Sequence, residues 1–550
     1  MEQQQLIELL VLLGGTLVLA TFFGTYLARM ISYENRPIEK TLAIVENRFY
    51  RLIGIDVNKQ MTWKEYFFAL FITNMIVVVV IILILVFQNY LPFSNNIEGF
   101  SIDLAVNTAI SFITDTNLQH YAGDQQLSNL SQMVAITFTM FVAPASGIAA
   151  AFAFIRSFIR KNFGLGNFYM DFIRVILTLL LPVSFVSALI LMMIGVPQTL
   201  DSSITINPLE TTIINNNNST ITQEQTLTIG PVASLESIKL LGSNGGGFFV
   251  SNSGHPFENP TGLSNLYEMF LMLIIPLSFP IAYAKLMGLG RGLSILTTML
   301  IGFGVLLSLS LTSQNGPLLL ETRFGSFGSA LFDTISLGTN TGAVNSALAG
   351  MSSEAVTSFF LAMFVQAIPG AVGTGMMTMI VYVLLTLFIV GLMVGKSPEF
   401  MSMKISPRDI KLSMLIFLLH PAIILIPTVI SFTTGNAQAI IGEQVTAMGF
   451  TQTLYEYTSA AANNGSDYFG TSADTSFWNW STAIVMFLGR YVPIGLMLAI
   501  AGSFTIKDRK EVIEPIKTKG PLFISILVVM TFLLTALSFF PFLIMGPFSI

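Results

Sequence analysis

The sequence predicts an all-α polytopic membrane protein: four span-pore-span repeats around one pore, plus an extra first and last transmembrane helix, about ten crossings in all. Three observations lead there. Over 550 residues the chain is 53% hydrophobic and only 10% charged, with a mean hydropathy of +0.73, outside the range of water-soluble domains. Its apolar residues fall in runs long enough to cross the hydrocarbon core as helices. Four times, between two such runs, a short helix-like stretch leads into a loop rich in Gly, Asn, Ser or Thr.

The first span, about residues 6–28, lies outside the repeats and leads into a basic loop, together residues 1–64. Repeat 1 (65–160) has spans near 67–87 and 130–155, an outer turn at 92–98 and a pore helix over 103–113. Repeat 2 (161–290) has spans near 175–196 and 265–285 and a pore helix over 234–241. Between them, residues 197–230 read as a polar extracellular excursion with little packing value. Its Asn-x-Ser/Thr matches around Asn215 to Thr220 matter only in a glycosylating cell. Repeat 3 (291–411) has a span near 293–311 and a pore helix over 327–337, but its return segment, 356–394, is too long for one straight crossing. Two crossings would put Lys396, Lys404, Arg408 and Lys411 on the wrong side, so one crossing interrupted at Pro369, Gly370, Gly373 and Gly375 is expected. Two readings of the break stand: a gating loop in the path, or a plain Pro/Gly kink. Repeat 4 (412–510) has spans near 414–432 and 481–503 and a pore helix near 452–462, and a last span near 521–544 completes the chain in 511–550.

Charge placement sets the expected topology, because Lys and Arg near helix ends stay cytoplasmic. Basic groups at Arg29 to Lys64, Arg156 to Arg174, Lys285 with Arg291, Lys396 to Lys411 and Lys507 to Lys519 alternate with loop-bearing segments almost free of positive charge. Ten crossings with both termini outside satisfy every group, as expected of a multi-pass protein of a prokaryotic cell (plasma) membrane. The start lacks a basic n-region, so the first span is expected to be retained. Cysteine is absent, which removes disulfides and thiol chemistry. No concentrated basic patch points to nucleic acid, and lipid is the expected surrounding.

The candidate site is the set of four loops. Irregular backbone is tolerated at membrane depth only where protein buries it or where it lines a wet path. Glycine lets several carbonyls turn toward one axis, and small Thr, Ser and Asn side chains keep that axis open, so such oxygens can replace the water shell of a monovalent cation. An ordinary turn explains any one cluster, but four in equivalent places argue for a filter. The candidate ligands are the carbonyls of Thr114, Asp115, Thr116 and Asn117; Ser243, Asn244, Gly245 and Gly246; Thr339, Asn340, Thr341 and Gly342; and Asn463, Asn464 and Gly465, with Thr hydroxyls assisting. Asp115 reads either as a fixed charge at the mouth or as a solvated loop acid or cap. Arg490, near the middle of a span, is a gating or coupling candidate with Gly370, Gly373 and Gly375. Its structural alternative is a pair with an acid such as Glu354 or Glu456, or with a helix end. His120, His255 and His420 stand apart, and neither a phosphate-binding loop nor an Asp-Lys-Thr-Gly run occurs, so neither a metal centre nor ATP hydrolysis is expected here.

Ser-Phe-Ile-Thr-Asp-Thr-Asn from Ser111, Leu-Leu-Gly-Ser-Asn-Gly-Gly-Gly-Phe-Phe from Leu240, Gly-Ala-Val-Asn from Gly342 and Ala-Asn-Asn-Gly-Ser from Ala462 resemble the potassium-binding KdpA family of Kdp-type complexes. The resemblance covers nearly the whole chain. It implies a non-catalytic subunit that selects K+ outside and passes it to a P-type ATPase subunit (KdpB-like), with KdpC-like and KdpF-like accessory subunits and no ATP bound by this chain. It also implies that the break at Gly370 to Gly375 and Arg490 restrict direct passage. Asp115, Ser243 and Thr341 depart from the expected Asn, Thr and Cys, which keeps oxygen chemistry but bears on affinity and on selectivity against Rb+ and NH4+. Two other functions remain open: a self-sufficient channel-like or ion-coupled K+ transporter, separated from the first by co-purification of an ATPase subunit, and a membrane enzyme, which would need a cluster of acids, bases or metal ligands.

Overall fold

The computed structural model of the chain describes residues 3–33, 45–46, 48, 50–51, 54–56, 59–94, 97–159, 164–207, 224–312, 321–508 and 516–546. Ten helices among them are long and apolar enough to span a membrane. The first is α1 (Gln3–Ser32). Repeat 1 follows as α2 (Trp63–Val86), the short α3 (Ile102–Ile113) and α4 (Ser131–Arg156). Repeat 2 is α5 (Phe168–Ile194), the short α6 (Val232–Leu241) and α7 (Gly262–Met287). Repeat 3 is α8 (Leu289–Ser310), α9 (Gly325–Gly338) and a return in two pieces, α10 (Ser353–Val365) and α11 (Thr374–Val394). Repeat 4 is α12 (Pro407–Thr433), α13 (Ala447–Ala462) and α14 (Ser476–Thr505), and α15 (Pro521–Met545) closes the chain.

The four repeats form a ring because each return helix packs against the pore helix of the next repeat. α4 meets α6, α7 meets α9, α10 meets α13, and α14 returns to α3. The last junction is polar and buried: Asn107 donates to the Asn479 carbonyl at 2.8 Å and to Thr482 Oγ1 at 2.8 Å, while His120 Nδ1 lies 2.7 Å from Asn479 Oδ1. Helices of the ring's interior, such as α4, are almost wholly buried, whereas α2 turns an apolar stripe of Phe68, Ile72, Ile76, Val79 and Leu83 outward toward lipid. α1 lies along α7, and Gly24 allows the approach: a Cβ there would stand 2.7 Å from Ile281 Cβ. A second clamp uses charge. Arg156, wholly buried, bonds Asp171 through both amino groups at 2.7 and 2.9 Å and donates to the Ile31 carbonyl, and Tyr66 adds a bond to Asp171 at 2.9 Å, so α1, α2, α4 and α5 share one network.

Several spans begin earlier than hydropathy suggests, because polar first turns are caps and not loops. Thr62 with Glu65, Thr261 with Ser264 and Ser406 with Asp409 form reciprocal capping boxes that start α2, α7 and α12. Likewise α5 starts at Phe168 under an Asn167 cap, seven residues before the expected 175, and Thr446 starts α13 five residues before 452. The excursion at 197–230 is also not wholly irregular: β1 (Ser203–Ile206) and β2 (Gln225–Thr228) pair antiparallel. The Asn215 to Thr220 run between them lies outside the described residues. β3 (Glu399–Phe400) and β4 (Met403–Lys404) form a second, minimal hairpin after α11.

Gly24→Ile should separate α1 from α7 and lower stability by about 1–3 kcal/mol, read as a drop in Tm of the detergent-solubilised chain. An unchanged Tm would mean that α1 does not depend on this close approach.

Candidate functional site

Each pore helix ends in the same way. Asp115, Ser243, Asn340 and Asn463 adopt left-handed backbone, with φ of 64°, 60°, 51° and 55°. The next residue's N–H then reaches back to the carbonyl five residues earlier: Thr116 to Ser111 at 3.0 Å, Asn244 to Lys239 at 2.8 Å, Thr341 to Ser336 at 2.8 Å, and Asn464 to Ser459 at 2.9 Å. This is the Schellman ending, which turns the chain sharply back while capping the helix. Glycine normally occupies the left-handed position; here four residues with side chains do, at a cost of about 1 kcal/mol or more each. Three of those side chains stitch the ring. Asn340 donates to the Ala462 carbonyl at 3.1 Å, Asn463 donates to Thr116 Oγ1 at 2.9 Å, and Asp115 Oδ2 accepts from Arg490 of α14 at 3.2 Å. Two positions beyond Asp115, Asn117 donates to Asn244 Oδ1 at 3.3 Å.

The loops converge beside Gly245. A Cβ there would stand 2.6 Å from the Asn464 carbonyl oxygen, 2.7 Å from that of Thr341 and 2.9 Å from that of Thr116, one from each of the other loops. Cβ atoms at Gly342 and Gly465 would overlap the carbonyls of Asn464 and Thr116, and one at Gly246 would crowd Phe112 and the Asn117 carbonyl. The glycines are therefore where carbonyl oxygens approach one another most closely. Such an arrangement concentrates negative potential and suits a dehydrated cation. Among the described residues no cluster of three or more His, Asp or Glu side chains is arranged to hold a metal ion. Thr114 and Thr339 place their hydroxyls 2.8 Å from those of Thr116 and Thr341 and bond back to carbonyls of their own pore helices, so these hydroxyls brace the loops.

Asp115 is not at the mouth. It is buried at the inner turn, where Arg490 Nη2 also donates to the Ala143 carbonyl at 3.1 Å. Arg490 pairs with Asp115, and Glu456, one of the expected alternatives, instead accepts from the N–H groups of Tyr468 and Phe469 at 2.6 and 2.9 Å. The break between α10 and α11 lies at the same depth. Gly370 N donates to the Gly338 carbonyl at 2.8 Å, Gly370 and Gly373 take φ of 80° and 79°, and Gly375 packs on Gly370 with no room for a Cβ. Gly373 abuts Gly147 of α4, whose Cβ position would be 3.0 Å from Arg490 Nη2.

Space lies on both sides of the loops. Beyond the mouth is a 560 Å3 cavity lined by Glu321, Asn345, Ser346 and Asp467. The Arg323 side chain bonded to Glu321 holds that carboxyl below the usual range, so it is ionised at neutral pH. On the inner side, a small cavity touches Asn340, Asn463, Thr374 and Arg490. It shares Gln366, Thr378, Pro493 and Met497 with a neighbouring cavity lined also by Tyr382, His420 and Phe539.

The family described as "KdpA: Potassium-transporting ATPase A subunit" matches residues 10–549. The chain belongs to this KdpA family. Relatives named potassium-transporting ATPase potassium-binding subunit include those of Caldanaerobacter subterraneus subsp. tengcongensis, 37% identical over 99% of this chain and 98% of the relative. Those of Geobacillus kaustophilus (39%, 96% of each) and Clostridium acetobutylicum (37%, 99% of each) are similar. The crystal structure of the potassium transporter TrkH from Vibrio parahaemolyticus covers 92% of this chain and all of its own at a TM-score of 0.54. With 14% identity, that likeness concerns the fold alone.

Beyond the loop residues, this KdpA-family chain uses side chains that sequence reading passed over. Gln119 bridges loops 1 and 2, accepting from Gly247 N at 2.9 Å and donating to Gly247 O at 3.1 Å. Gln366 sits at the head of the break, left-handed, lining the inner cavity. Gln119 carries no local signature, because its partner Gly247 is 128 residues away in sequence.

Gly465→Ala combines a disallowed φ with overlap on the Thr116 carbonyl, so it should cost about 2 kcal/mol or more, seen as a lower Tm in detergent. Gly435→Ala, also at positive φ but with open space around it, should cost less.

Proposed function

We propose that this chain is the K+-selective binding and translocating subunit of an ATP-driven high-affinity potassium importer. The observation that carries the reading is the convergence of carbonyls from Thr116, Thr341 and Asn464 on Gly245, in a chain whose relatives are named for potassium binding in a potassium-transporting ATPase. K+ arrives from outside through the acidic cavity at Glu321 and Asp467 and exchanges its water shell for carbonyl oxygens of the four loops. Charge distribution supports this orientation, with the loops and both termini outside and the basic segments in the cytoplasm.

Below the filter the ion meets the Arg490–Asp115 pair and the folded break at Gly370 to Gly375. A cation about 5 Å from an unpaired Arg490 would meet about 3 kcal/mol of repulsion at an effective dielectric of about 20. Asp115 offsets part of that charge and fixes the guanidinium. The straight path is restricted, and the cavities shared at Gln366 and Thr378 offer a sideways course toward Tyr382 and His420. That course suits delivery to a membrane-embedded partner, a KdpB-like P-type ATPase subunit, with KdpC-like and KdpF-like subunits alongside. This chain supplies selection and the partner supplies ATP hydrolysis.

The test is ATPase activity of membranes carrying this chain with and without its P-type partner, titrated with K+ and with Na+ as control. Stimulation at low K+ that needs both chains supports the importer. K+ flux through this chain alone, without nucleotide, would replace that reading with a channel-like transporter. In the same assay Gly245→Asp should raise the half-saturating K+ at least about ten-fold, or about 1.4 kcal/mol of binding. Arg490→Ala should leave external K+ binding in place but uncouple K+ movement from ATP hydrolysis. Asp115→Asn, which leaves Arg490 unpaired, should shift half-saturation upward by less than Gly245→Asp.

A further inference from the structure

Three of the four pore helices carry a buried acid at one and the same position. Counting back seven residues from the left-handed residues Ser243, Asn340 and Asn463 gives Glu236, Asp333 and Glu456, all wholly buried; in repeat 1 the place is taken by Thr108. None of these carboxylates is directed at the carbonyls beside Gly245. Each receives hydrogen bonds from the chain on the outer limb of its own loop, after the filter residues.

In repeat 3, Asp333 accepts from Asn345 N at 3.4 Å and from Ser346 Oγ at 3.2 Å. In repeat 4, Glu456 Oε1 accepts from Tyr468 N at 2.6 Å and Phe469 N at 2.9 Å. In repeat 2, Glu236 Oε1 accepts from Ser253 Oγ at 3.0 Å, and Lys239 is added, bonding Glu236 at 3.0 Å, Ser253 Oγ at 3.1 Å and Glu258 at 2.8 Å. Glu258 in turn accepts from Phe249 N at 2.8 Å, and Asn252 donates to the Gly245 carbonyl at 2.5 Å. The larger network goes with the loop whose Gly245, Gly246 and Gly247 have no side chains to pack. Repeat 1 uses a neutral device instead, Ser111 Oγ donating to the Leu118 carbonyl at 2.9 Å.

We propose that Glu236, Asp333 and Glu456 are positioning residues of the filter: each ties the outer limb of its loop to the rigid pore helix and so fixes where the filter carbonyls point. Burial of a carboxylate is expensive, and here the hydrogen bonds it accepts from the outer limb offset that cost. What the acid supplies is geometry. A carbonyl cage discriminates between cations through the number and field of its ligands, so a limb free to move loses affinity before it loses the fold. This inference rests on the filter reading of the proposed function.

The experiment is K+ and Rb+ titration of ATPase activity in membranes carrying this chain with its P-type partner, for wild type, Glu456→Met, Glu456→Gln and Ser346→Ala. Glu456→Met removes the acceptor at similar volume, whereas the amide oxygen of Glu456→Gln can still accept both N–H groups. The expected result is a half-saturating K+ raised about ten-fold in Glu456→Met, equivalent to about 1.4 kcal/mol, with a changed K+/Rb+ ratio and an unchanged maximal rate. Glu456→Gln should restore wild-type half-saturation. A role in stability alone would lower the maximal rate through loss of assembled complex and leave half-saturation where it was, and that result overturns the inference while the importer stands. If Glu456→Met fails to assemble, Ser346→Ala decides, since it removes one donor to Asp333 without altering a pore helix; wild-type half-saturation there overturns the inference. If wild type itself shows no K+ stimulation, the importer reading fails and this inference falls with it.

Discussion

The structure depends on one constraint: a backbone that leaves its helix within a membrane must find new hydrogen-bond partners or pay for their absence. The four loops meet it with one device. A left-handed residue ends each pore helix, and the next N–H reaches back five residues to a helix carbonyl. That bond satisfies the helix end and at the same time frees carbonyls of the turning chain from any intrahelical role. Carbonyls that would be a liability singly become useful when four loops bring them to one place beside Gly245.

Everything around the loops acts to keep that convergence. The ring closes because each return helix leans on the next pore helix, with the Asn107, His120 and Asn479 bonds joining last to first. At three of the four left-handed positions the side chain, Asp115, Asn340 or Asn463, bonds a neighbouring element, which gives Asp and Asn a use where glycine would be less strained. Behind the loops, buried carboxylates take hold of the outer limbs. Loop geometry is thus fixed from the inner turn, from the sides and from outside.

Much of the fold was legible in the sequence. Apolar runs gave the spans, alternating basic groups kept their number even, and Pro369 with Gly370, Gly373 and Gly375 announced the break in repeat 3. Helix starts were less legible, since the capping pairs Thr62–Glu65, Thr261–Ser264 and Ser406–Asp409 look like loop polarity until the reciprocal bonds are seen. The β1–β2 hairpin leaves little mark for a similar reason: its strands are only four residues long and mostly exposed, so the Ser-Ile-Thr-Ile alternation of β1 is too short to stand out.

By itself the sequence determined the class of structure and the four loops, because hydropathy, glycine and helix-breaking residues act locally and leave local marks. Only the tertiary structure decided which partners Asp115 and Arg490 take. They lie 375 residues apart, and their pairing at the inner turn moves Asp115 from the mouth to the base of the site. The same holds for Lys239 with Glu258, for Asp333 with Ser346, and for Gln119 spanning to Gly247. Burial turns an isolated charge into a demand for a partner, and the identity of that partner is a matter of which chains meet in three dimensions.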